Sequence, residues 1–424
     1  MASKKKNKLE ELLIFLTIFV SSYVFFKQPF EGYFHYIIFI LFLPFFIVRF
    51  GIPVKVLKIL FFPFIFGIIY VFIGYNLSFN FIKIAFGLLL STSFYYYVLK
   101  YYDFNTYKLF VLFIKGSKIV GYVGLFQFVS YLIGFKLGYD YTWVFNKWGV
   151  VPGGIIGIRI NSVFSEPAQF SIVMSPLIFI CIEHLISRRY IFISFKEILI
   201  MLFVFILTSS STGYLGISFI ILIILINMRR FFDAILISSL VYISGIFIYD
   251  NVKDFQSRFN SFSNILEGNK LKLEDINSSS FVLYNNFNVA INSFIEHPIF
   301  GTGLGSYPLA YEKFSLTKAE DFLIKNGFDF NSQDGNSLFI RMIVETGIIG
   351  IFFLLLIVFK FFIIKDKITH STNNTISWLI SGSVLTLILL TYFRQGNYFL
   401  NGFPFFMWLY YYNSVNHNKI EFEQ

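Results

Sequence analysis

The chain has 424 residues, of which 56% are hydrophobic and only 14% are charged. Soluble globular proteins carry about 25% charged residues, so this composition excludes an ordinary soluble fold and indicates many membrane-embedded segments. The formal net charge is +10. In a membrane protein an excess of Lys and Arg is typical of the cytoplasmic loops, and we favour this interpretation over nucleic-acid binding.

About 12 segments approach the roughly 20 apolar residues that a membrane-spanning helix needs. In chain order they are residues 10–26, 33–50, 56–74, 80–99, 117–134, 167–186, 195–209, 213–228, 231–249, 337–364, 375–393 and 398–413. The seventh and eighth are short, and only SSSTG (209–213) separates them. The sequence therefore predicts an all-α polytopic membrane protein.

Positively charged residues predict the orientation of these helices. Lysines precede the first segment, and Lys and Arg residues lie at the ends of later even-numbered segments, namely Arg49, Lys55, Lys58, Lys100, Lys108, Lys115, Arg188, Arg189, Arg229, Arg230, Lys365 and Lys367. By the positive-inside rule, both termini are cytoplasmic. The loops at 27–32, 75–80, 135–166, 209–212, 250–336 and 394–397 then lie on the external side.

A long external loop divides the chain into three regions. Residues 1–249 hold the N-terminal transmembrane helices with the external loop 135–166, residues 250–336 form the large loop, and residues 337–424 hold the last helices and a cytoplasmic tail. Loops beyond about 15 residues are usually functional or disordered. Within the large loop, YNNFNVAINSFIEHPIF (284–300) has helical apolar spacing, which predicts an amphipathic helix at the outer membrane face.

The sequence lacks the common motifs of soluble enzymes. It contains no GxxxxGK[ST] phosphate loop, no HExxH and no cluster of Cys and His residues. We therefore predict neither a metal ion nor a cofactor, although Asp and Glu side chains alone are able to hold a metal.

Charged residues collect instead on the predicted external side. They are Arg159, Glu166, Arg258, Glu296, His297, Asp334, Arg341, Glu345 and Arg394. A charge beside lipid is costly and often functional. Arginine also suits bidentate phosphate contacts. The neighbouring loop 135–166 adds the aromatic residues Tyr139, Tyr141, Trp143 and Trp148.

Each of these features also has a purely structural interpretation. Arg159 and Glu166 would form an interfacial salt bridge. Arg341 and Glu345 are spaced i, i+4 and would neutralise each other on one helix face. The glycines of GTGLG (301–305) would form a turn, and Arg258 would be a solvated loop residue.

Four stretches resemble the family of bacterial O-antigen polymerases and ligases. RINSVFSEPAQF (159–170) resembles the Arg…Phe-x-Glu-Pro-[Ser/Ala] stretch of O-antigen and capsule polymerases. SFIEHPIFGTGLGSY (293–307) and DGNSLFIRMIVETGIIG (334–350) are similar to the His-Pro-x-x-Gly-x-Gly segment and the Asn…Glu-Thr-Gly-x-x-Gly helix shared by polymerases and ligases. LTSSSTGYLG (207–216) is similar to their middle motif, Thr-x-Ser-[Arg/Thr]-Gly.

The resemblance implies a GT-C-like, metal-independent glycosyltransferase of the bacterial inner membrane with a periplasmic active site. A growing glycan on undecaprenyl diphosphate would move onto a single repeat unit carried by the same lipid, and undecaprenyl diphosphate would leave. The implied partners are the undecaprenyl-diphosphate-linked oligosaccharide, membrane lipid and a chain-length regulator protein, with no nucleic acid.

The resemblance also suggests roles for the candidate residues. Without a metal, arginines must stabilise the diphosphate, and the candidates are Arg159, Arg258, Arg341 and Arg394. Glu166 is our first choice as general base, with His297 and Asp334 as alternatives. Sugar binding is predicted for Asn336 and for Tyr139, Tyr141, Trp143 and Trp148, for which packing is the alternative. The loop 250–336 is a predicted lid.

Two departures from the family pattern bear on the reaction. Ligases are thought to use a His directly before the Asn of the late helix, and Gly335 stands there, after Asp334. Its absence, with Glu-Pro after Arg159, favours a polymerase over a ligase. Ser211 and Thr212 replace the arginine of the middle motif, which weakens any transfer of function to that motif. A flippase or transporter is the third alternative, against which the asymmetric external loops argue.

Overall fold

The computed structural model describes residues 8–26, 31–155, 157–228, 278–316, 330–364 and 372–422, with isolated positions between 239 and 260. This part of the chain is mostly helical, as the sequence predicts. Its helices are α1 (Lys8–Phe19), α2 (Phe34–Phe50), α3 (Val54–Ile73), α4 (Ser78–Tyr101), α5 (Thr106–Leu132), α6 (Lys136–Tyr139), α7 (Pro167–Ser187), α8 (Phe195–Leu207), α9 (Ser211–Met228), α10 (Ser278–Glu296), α11 (Tyr307–Phe314), α12 (Leu338–Lys360), α13 (Thr372–Arg394) and α14 (Phe403–Phe422).

Every predicted segment except 231–249 overlaps one of these helices, and that segment lies almost wholly outside the described residues. Among the described residues, six helices are long and apolar enough to cross a membrane, namely α3, α4, α5, α7, α12 and α13. Helices α2 and α9 are shorter apolar helices. The protein is thus a helical membrane protein, and a total of 12 spans stays a prediction.

The start of α5 shows why the boundaries differ. The helix begins at Thr106 rather than near residue 117, because Asn105 caps it by accepting a hydrogen bond from the Lys108 backbone N–H at 2.9 Å. Lys115 and Lys118 lower the apolar content of the first half without interrupting the helix. A hydropathy criterion therefore places the start too late.

Helices α7 and α13 form the centre of the bundle, where they pack against each other and against α9. In both helices, 78% of the most apolar window is buried inside the protein, compared with 17% in α3. The side chains that α3 exposes are as apolar as those of a protein core. The outer face of α3 is therefore suited to contact with lipid rather than with water.

A short β-ribbon is the departure from an all-α architecture. Strand β1 (Val151–Pro152) pairs antiparallel with β2 (Ile158–Arg159), with Val151 opposite Arg159. Gly153, Gly154 and Gly157 between them have positive φ, which glycine adopts without strain. The ribbon thereby fixes the position of Arg159 within the loop before α7.

The predicted amphipathic helix is present as α10. Val289 and Ala290 on its buried face share an apolar cluster with Val344 of α12. Ile291 and Ile295 on the other side are 42% and 71% exposed. The large loop is therefore attached to the helical bundle through α10.

Helix α12 is broken at Gly347, where φ is 57° and ψ is −150°. The HPIFGTG segment (297–303) replaces the lost helical hydrogen bonds. Four backbone bonds of 2.9–3.3 Å join the two segments: Ile348 N–H to Pro298 O, Ile349 N–H to Ile299 O, Thr302 N–H to Val344 O, and Gly303 N–H to Glu345 O. Non-helical backbone at membrane depth needs such partners. The two halves of the family hallmark are therefore a single structural unit.

Candidate active site

A cavity of about 1260 Å³ opens where several helix ends meet. Its walls include described residues from the stretches 25–26, 31–40, 147–151, 159–172 and 330–341, from the first turns of α4, from the turn between α8 and α9 and from the segment after α13, together with Val282. These parts include or adjoin all six loops that the charge pattern assigns to one side of the membrane. The structure thus brings chain segments that are far apart in sequence to one end of the bundle.

Six of the predicted site residues line this cavity: Arg159, Glu166, Asp334, Asn336, Arg341 and Arg394. His297 lines a separate cavity of about 370 Å³ with Glu296 and Lys313. Arg258 lies outside the described residues.

The aromatic residues predicted to bind sugar do not line the large cavity. Tyr141 and Trp148 pack together with ring centroids 5.2 Å apart, and Trp148 Nε1 donates to the Ser162 carbonyl at 2.9 Å. Tyr139 packs against Tyr131, and Trp143 is 66% exposed. Trp148, with Tyr141 packed against it, therefore supports the loop that carries Arg159 and Glu166.

Glu166 stands at the N-terminal end of α7 beside Pro167, which begins the helix. Its side chain is exposed, lines the cavity and makes no capping hydrogen bond. Within the described part of the chain no ion pair involves Glu166, so the predicted salt bridge with Arg159 is not formed. Arg159 Nε donates instead to the Thr208 carbonyl at 3.3 Å.

Arg341 and Glu345 form the buried ion pair that their spacing allows. Arg341 Nε donates to Glu345 Oε1 at 2.7 Å, and the residues are 4% and 1% exposed. Tyr398 donates to Glu345 Oε2 at 2.7 Å, and Arg341 Nη1 donates to the Gly396 carbonyl at 3.0 Å. Arg341 also lines the large cavity, so these contacts hold its guanidinium group at the cavity wall.

Asp334 and Asn336 lie in a tight turn before α12. Asn331, Gly335 and Asn336 have φ between 54° and 67°, and the Asn336 N–H donates to Asp334 Oδ1 at 3.1 Å. Gly396 approaches the Asp334 backbone so closely that a Cβ there would clash. The segment after α13 thus packs closely against this turn and, through the Gly396 carbonyl, also contacts Arg341.

Two cations of the cavity were not among the predicted residues. Lys147 Nζ donates to Glu31 Oε1 at 2.7 Å and lies 2.8 Å from the Tyr33 hydroxyl. Burial raises the pKa of Glu31, but hydrogen bonds from Lys147 and Tyr33 outweigh burial and hold this pKa below its ordinary value. No sequence motif marks this group, because its members come from separate loops.

Lys83 is the second missed cation. It lies on α4, lines the cavity and interacts electrostatically with Arg341, Glu31 and Asp334. A lysine inside an apolar segment is a signal that the sequence does contain. Among the described residues, the cavity is therefore lined by five cationic side chains, Lys83, Lys147, Arg159, Arg341 and Arg394, and three carboxylates, Glu31, Glu166 and Asp334.

Part of the cavity wall is apolar and continues to the lipid-facing surface. Ile37 and Ile40 of α2 and Phe79, Ile82 and Phe86 of α4 line the cavity and are 38–61% exposed. A ligand with a charged head and an apolar tail would match this division.

As for metals, no group of three or more His, Cys, Asp and Glu residues suited to an ion occurs in the described ranges.

These features define a helical membrane protein with a polar, cation-rich cavity at one end of its bundle. Residues 198–355 match the family model described as O-antigen ligase. The resemblance to O-antigen polymerases and ligases is thereby confirmed for this part of the chain. Members of that family are glycosyltransferase- or ligase-type enzymes. A search of curated proteins gives no match.

The matched segment contains the middle motif, Asp334 and Arg341, whereas Arg159, Glu166 and Arg394 lie outside it. The cavity therefore combines residues from within and beyond the family segment.

Proposed function

We propose that the protein is an O-antigen polymerase that joins undecaprenyl-diphosphate-linked oligosaccharide repeat units on the periplasmic face of the bacterial inner membrane. The glycan moves from its lipid carrier to a new lipid-linked repeat unit. An acceptor hydroxyl forms a bond to the anomeric carbon, the bond from that carbon to the diphosphate breaks, and undecaprenyl diphosphate leaves with the electron pair. The observation that carries this proposal is the convergence of Arg159, Arg341 and Arg394 with Glu166 on one cavity.

The shape of the cavity supports a lipid-linked sugar as substrate. Its volume of about 1260 Å³ exceeds the ~300–1,000 Å³ of ordinary small-molecule pockets. The apolar wall of α2 and α4 offers a path for the polyprenyl tail, while the arginines face the charged end. In this scheme preorganised guanidinium groups stabilise the charge that develops on the leaving diphosphate.

Glu166 is the proposed general base for the acceptor hydroxyl. It is exposed to the cavity and unpaired among the described residues, so it is able to accept a proton. Asp334 lines the same cavity and is the alternative. The location of His297 in the smaller cavity favours both carboxylates over this histidine.

The remaining predictions belong to the same proposal. They are a GT-C-like bundle of about 12 helices, a metal-independent reaction, diphosphate binding that includes Arg258, sugar binding by Asn336 and the aromatic loop, a lid formed by residues 250–336, and a chain-length regulator as partner. The division of the chain at residues 249 and 336 also stays a prediction.

An O-antigen ligase is the second candidate, because the matching family model carries that description. Gly335 at the position of the ligase histidine favours the polymerase. A flippase or transporter of lipid-linked oligosaccharide is the third.

Arg159→Ala in a cell that makes the glycan separates these functions. A polymerase variant leaves single-unit caps, a ligase variant leaves lipid-linked polymer unattached, and a flippase variant strands repeat units on the cytoplasmic leaflet. Arg189→Ala is the matched control, since this exposed arginine lies outside the cavity. An unchanged ladder of polymer lengths in Arg159→Ala would contradict a catalytic role for Arg159.

A further inference from the structure

Two exposed phenylalanines and a carboxylate share one wall of the large cavity. Phe25 and Phe26 line the cavity and are each 48% exposed. The Phe25 N–H donates to the Gly32 carbonyl and the Gly32 N–H donates to the Phe26 carbonyl, both at 2.8 Å. The Phe26 ring packs so closely on Gly32 that a Cβ there would clash with it. Glu31 precedes Gly32 and also lines the cavity, so this backbone pairing holds Glu31 close to both phenylalanines.

Glu31 is fixed in place by Lys147, which belongs to the loop before α7. The neighbouring Asn146 Oδ1 accepts a hydrogen bond from the Val24 N–H at 2.9 Å, which joins the two loops. Lys147 Nζ donates to Glu31 Oε1 at 2.7 Å, to Glu31 Oε2 at 2.5 Å and to the Tyr33 hydroxyl at 2.8 Å. The Glu31 carboxylate is therefore oriented before a ligand binds.

The hydrogen bonds within this group use its donors but not all of its acceptors. An ammonium group has three N–H donors, and those of Lys147 are used by the two Glu31 oxygens and the Tyr33 hydroxyl. The Tyr33 hydroxyl in turn donates to Glu31 Oε2. A carboxylate has about four acceptor positions, so Glu31 keeps acceptor capacity. Its side chain is 40% exposed and lines the cavity, so this capacity is accessible to a ligand.

The charge of Glu31 limits which ligands suit these acceptors. Burial raises the pKa of Glu31, but hydrogen bonds from Lys147 and Tyr33 outweigh burial, so the side chain is ionised at neutral pH and only accepts hydrogen bonds. A phosphate or carboxylate group also presents mainly acceptors and would be repelled. Sugar hydroxyl and acetamido N–H groups donate hydrogen bonds, and the C–H face of a sugar packs on the electron-rich face of an aromatic ring.

Resting on the proposed function, we propose that Phe25, Phe26 and Glu31 form a subsite that binds one sugar of the lipid-linked repeat unit. The phenylalanines contact the apolar face of the sugar, and Glu31 accepts hydrogen bonds from its hydroxyl or N–H groups. Because like charges repel, the subsite selects a neutral sugar or an amino sugar over a uronic acid. Its acceptor chemistry distinguishes it from the arginines, which suit the diphosphate.

The test uses the full-length protein in nanodiscs and measures Kd for two ligands. They are the undecaprenyl-diphosphate-linked repeat unit of the producing cell and undecaprenyl diphosphate without sugar. Phe26→Ala removes one aromatic ring, and Glu31→Gln removes the charge and one carboxylate oxygen while it keeps the shape of the side chain. Phe62→Ala on α3 and Glu312→Gln on α11 are the matched controls, since both residues are exposed and line neither cavity.

We expect Phe26→Ala and Glu31→Gln each to raise Kd for the repeat unit about tenfold and to leave Kd for undecaprenyl diphosphate unchanged. The control variants should bind both ligands as the wild type does. An unchanged Kd for the repeat unit in either folded variant would overturn the proposal. An equal rise for both ligands would also overturn it, because the change would then not depend on the sugar. A wild type that binds both ligands equally tightly would overturn it without any variant.

The result is separable from that of the proposed function. A wild type that shows these losses of sugar affinity in its variants but makes no polymer contradicts the polymerase proposal alone. A wild type that makes polymer while Phe26→Ala and Glu31→Gln bind the repeat unit normally contradicts the sugar subsite alone.

Discussion

Arg341 is held by Glu345 through a 2.7 Å hydrogen bond at the wall of the cavity, in the part of α12 that precedes the break at Gly347. Burying two charges is costly unless they are paired and their other hydrogen-bonding groups are satisfied. Tyr398 and the carbonyl of Gly396 supply those additional bonds. The pair therefore orients the guanidinium group toward the cavity, and it is more than a neutralised contact within a helix.

Removing one member of this pair is expected to destabilise the protein strongly. Glu345→Ala leaves the buried guanidinium without its counter-charge and should lower the free energy of unfolding by about 3–5 kcal/mol. In the double variant Arg341→Met, Glu345→Met, the free energy of unfolding should decrease by much less than the sum of the decreases in the two single variants. Unfolding of the purified variants in detergent measures these values, with Glu312→Ala as an exposed control. Additive losses would show that the two residues are not coupled.

The break of α12 allows a second test. Gly347 and Gly51 both have positive φ with extended ψ. A Cβ at Gly347 would lie 2.7 Å from the carbonyl carbon of Ile299. A Cβ at Gly51 would meet nothing within 4 Å. Both Ala variants carry backbone strain of about 1–3 kcal/mol, and only Gly347→Ala adds a steric clash. We expect a clearly lower Tm for Gly347→Ala than for Gly51→Ala. Equal Tm values would argue against the docking of HPIFGTG on the break.

Glu166→Gln tests the proposed general base. The carboxylate is exposed and unpaired within the described residues, so the change should leave Tm almost unaltered. Loss of general-base catalysis should lower kcat for polymer formation by about 10²–10⁴-fold. Glu312→Gln is the matched control, since Glu312 is an exposed residue of α11 that lines neither cavity. If Glu166→Gln has the kcat of the wild type, Glu166 is not the general base, and Asp334 becomes the candidate for this role.

The Glu31–Lys147 contact predicts a dependence of stability on pH. The pKa of Glu31 lies below its ordinary value of 4.5 in the folded protein, because hydrogen bonds from Lys147 and Tyr33 outweigh the effect of burial. The stabilisation is therefore present above the unfolded pKa and is lost as pH falls through the folded pKa. Lys147→Met should flatten the decrease in Tm below pH 4.5. An unchanged pH profile in this variant would show that Lys147 does not lower the pKa of Glu31.

The sequence predicts the helices well, because long apolar runs in a membrane protein have few alternatives to helix. It also predicts which loops share one end of the bundle, because Lys and Arg mark the opposite ends. Arg159, Glu166, Asp334, Asn336, Arg341 and Arg394 follow from that rule and do line one cavity. Sequence spacing also suffices for Arg341 and Glu345, which lie on one helix face.

Contacts between loops that are far apart in the sequence do not follow from local sequence patterns. Glu31 and Lys147 meet only through the packing of separate loops, and no local pattern encodes their contact. The structural role of GTGLG likewise depends on a break in a helix far along the chain. Trp148 and Tyr141 show a second limit, since aromatic residues near a site are as suited to packing a loop as to stacking on a sugar, and the sequence does not distinguish the two.

The proposed polymerase reaction is tested by reconstitution of the purified protein with a defined undecaprenyl-diphosphate-linked repeat unit, with and without a chelator. We predict a ladder of lipid-linked polymers and release of undecaprenyl diphosphate in both conditions, and loss of the ladder in Arg159→Ala. Single repeat units that stay unchanged with the wild-type protein, under conditions where the lipid-linked unit binds, would contradict it.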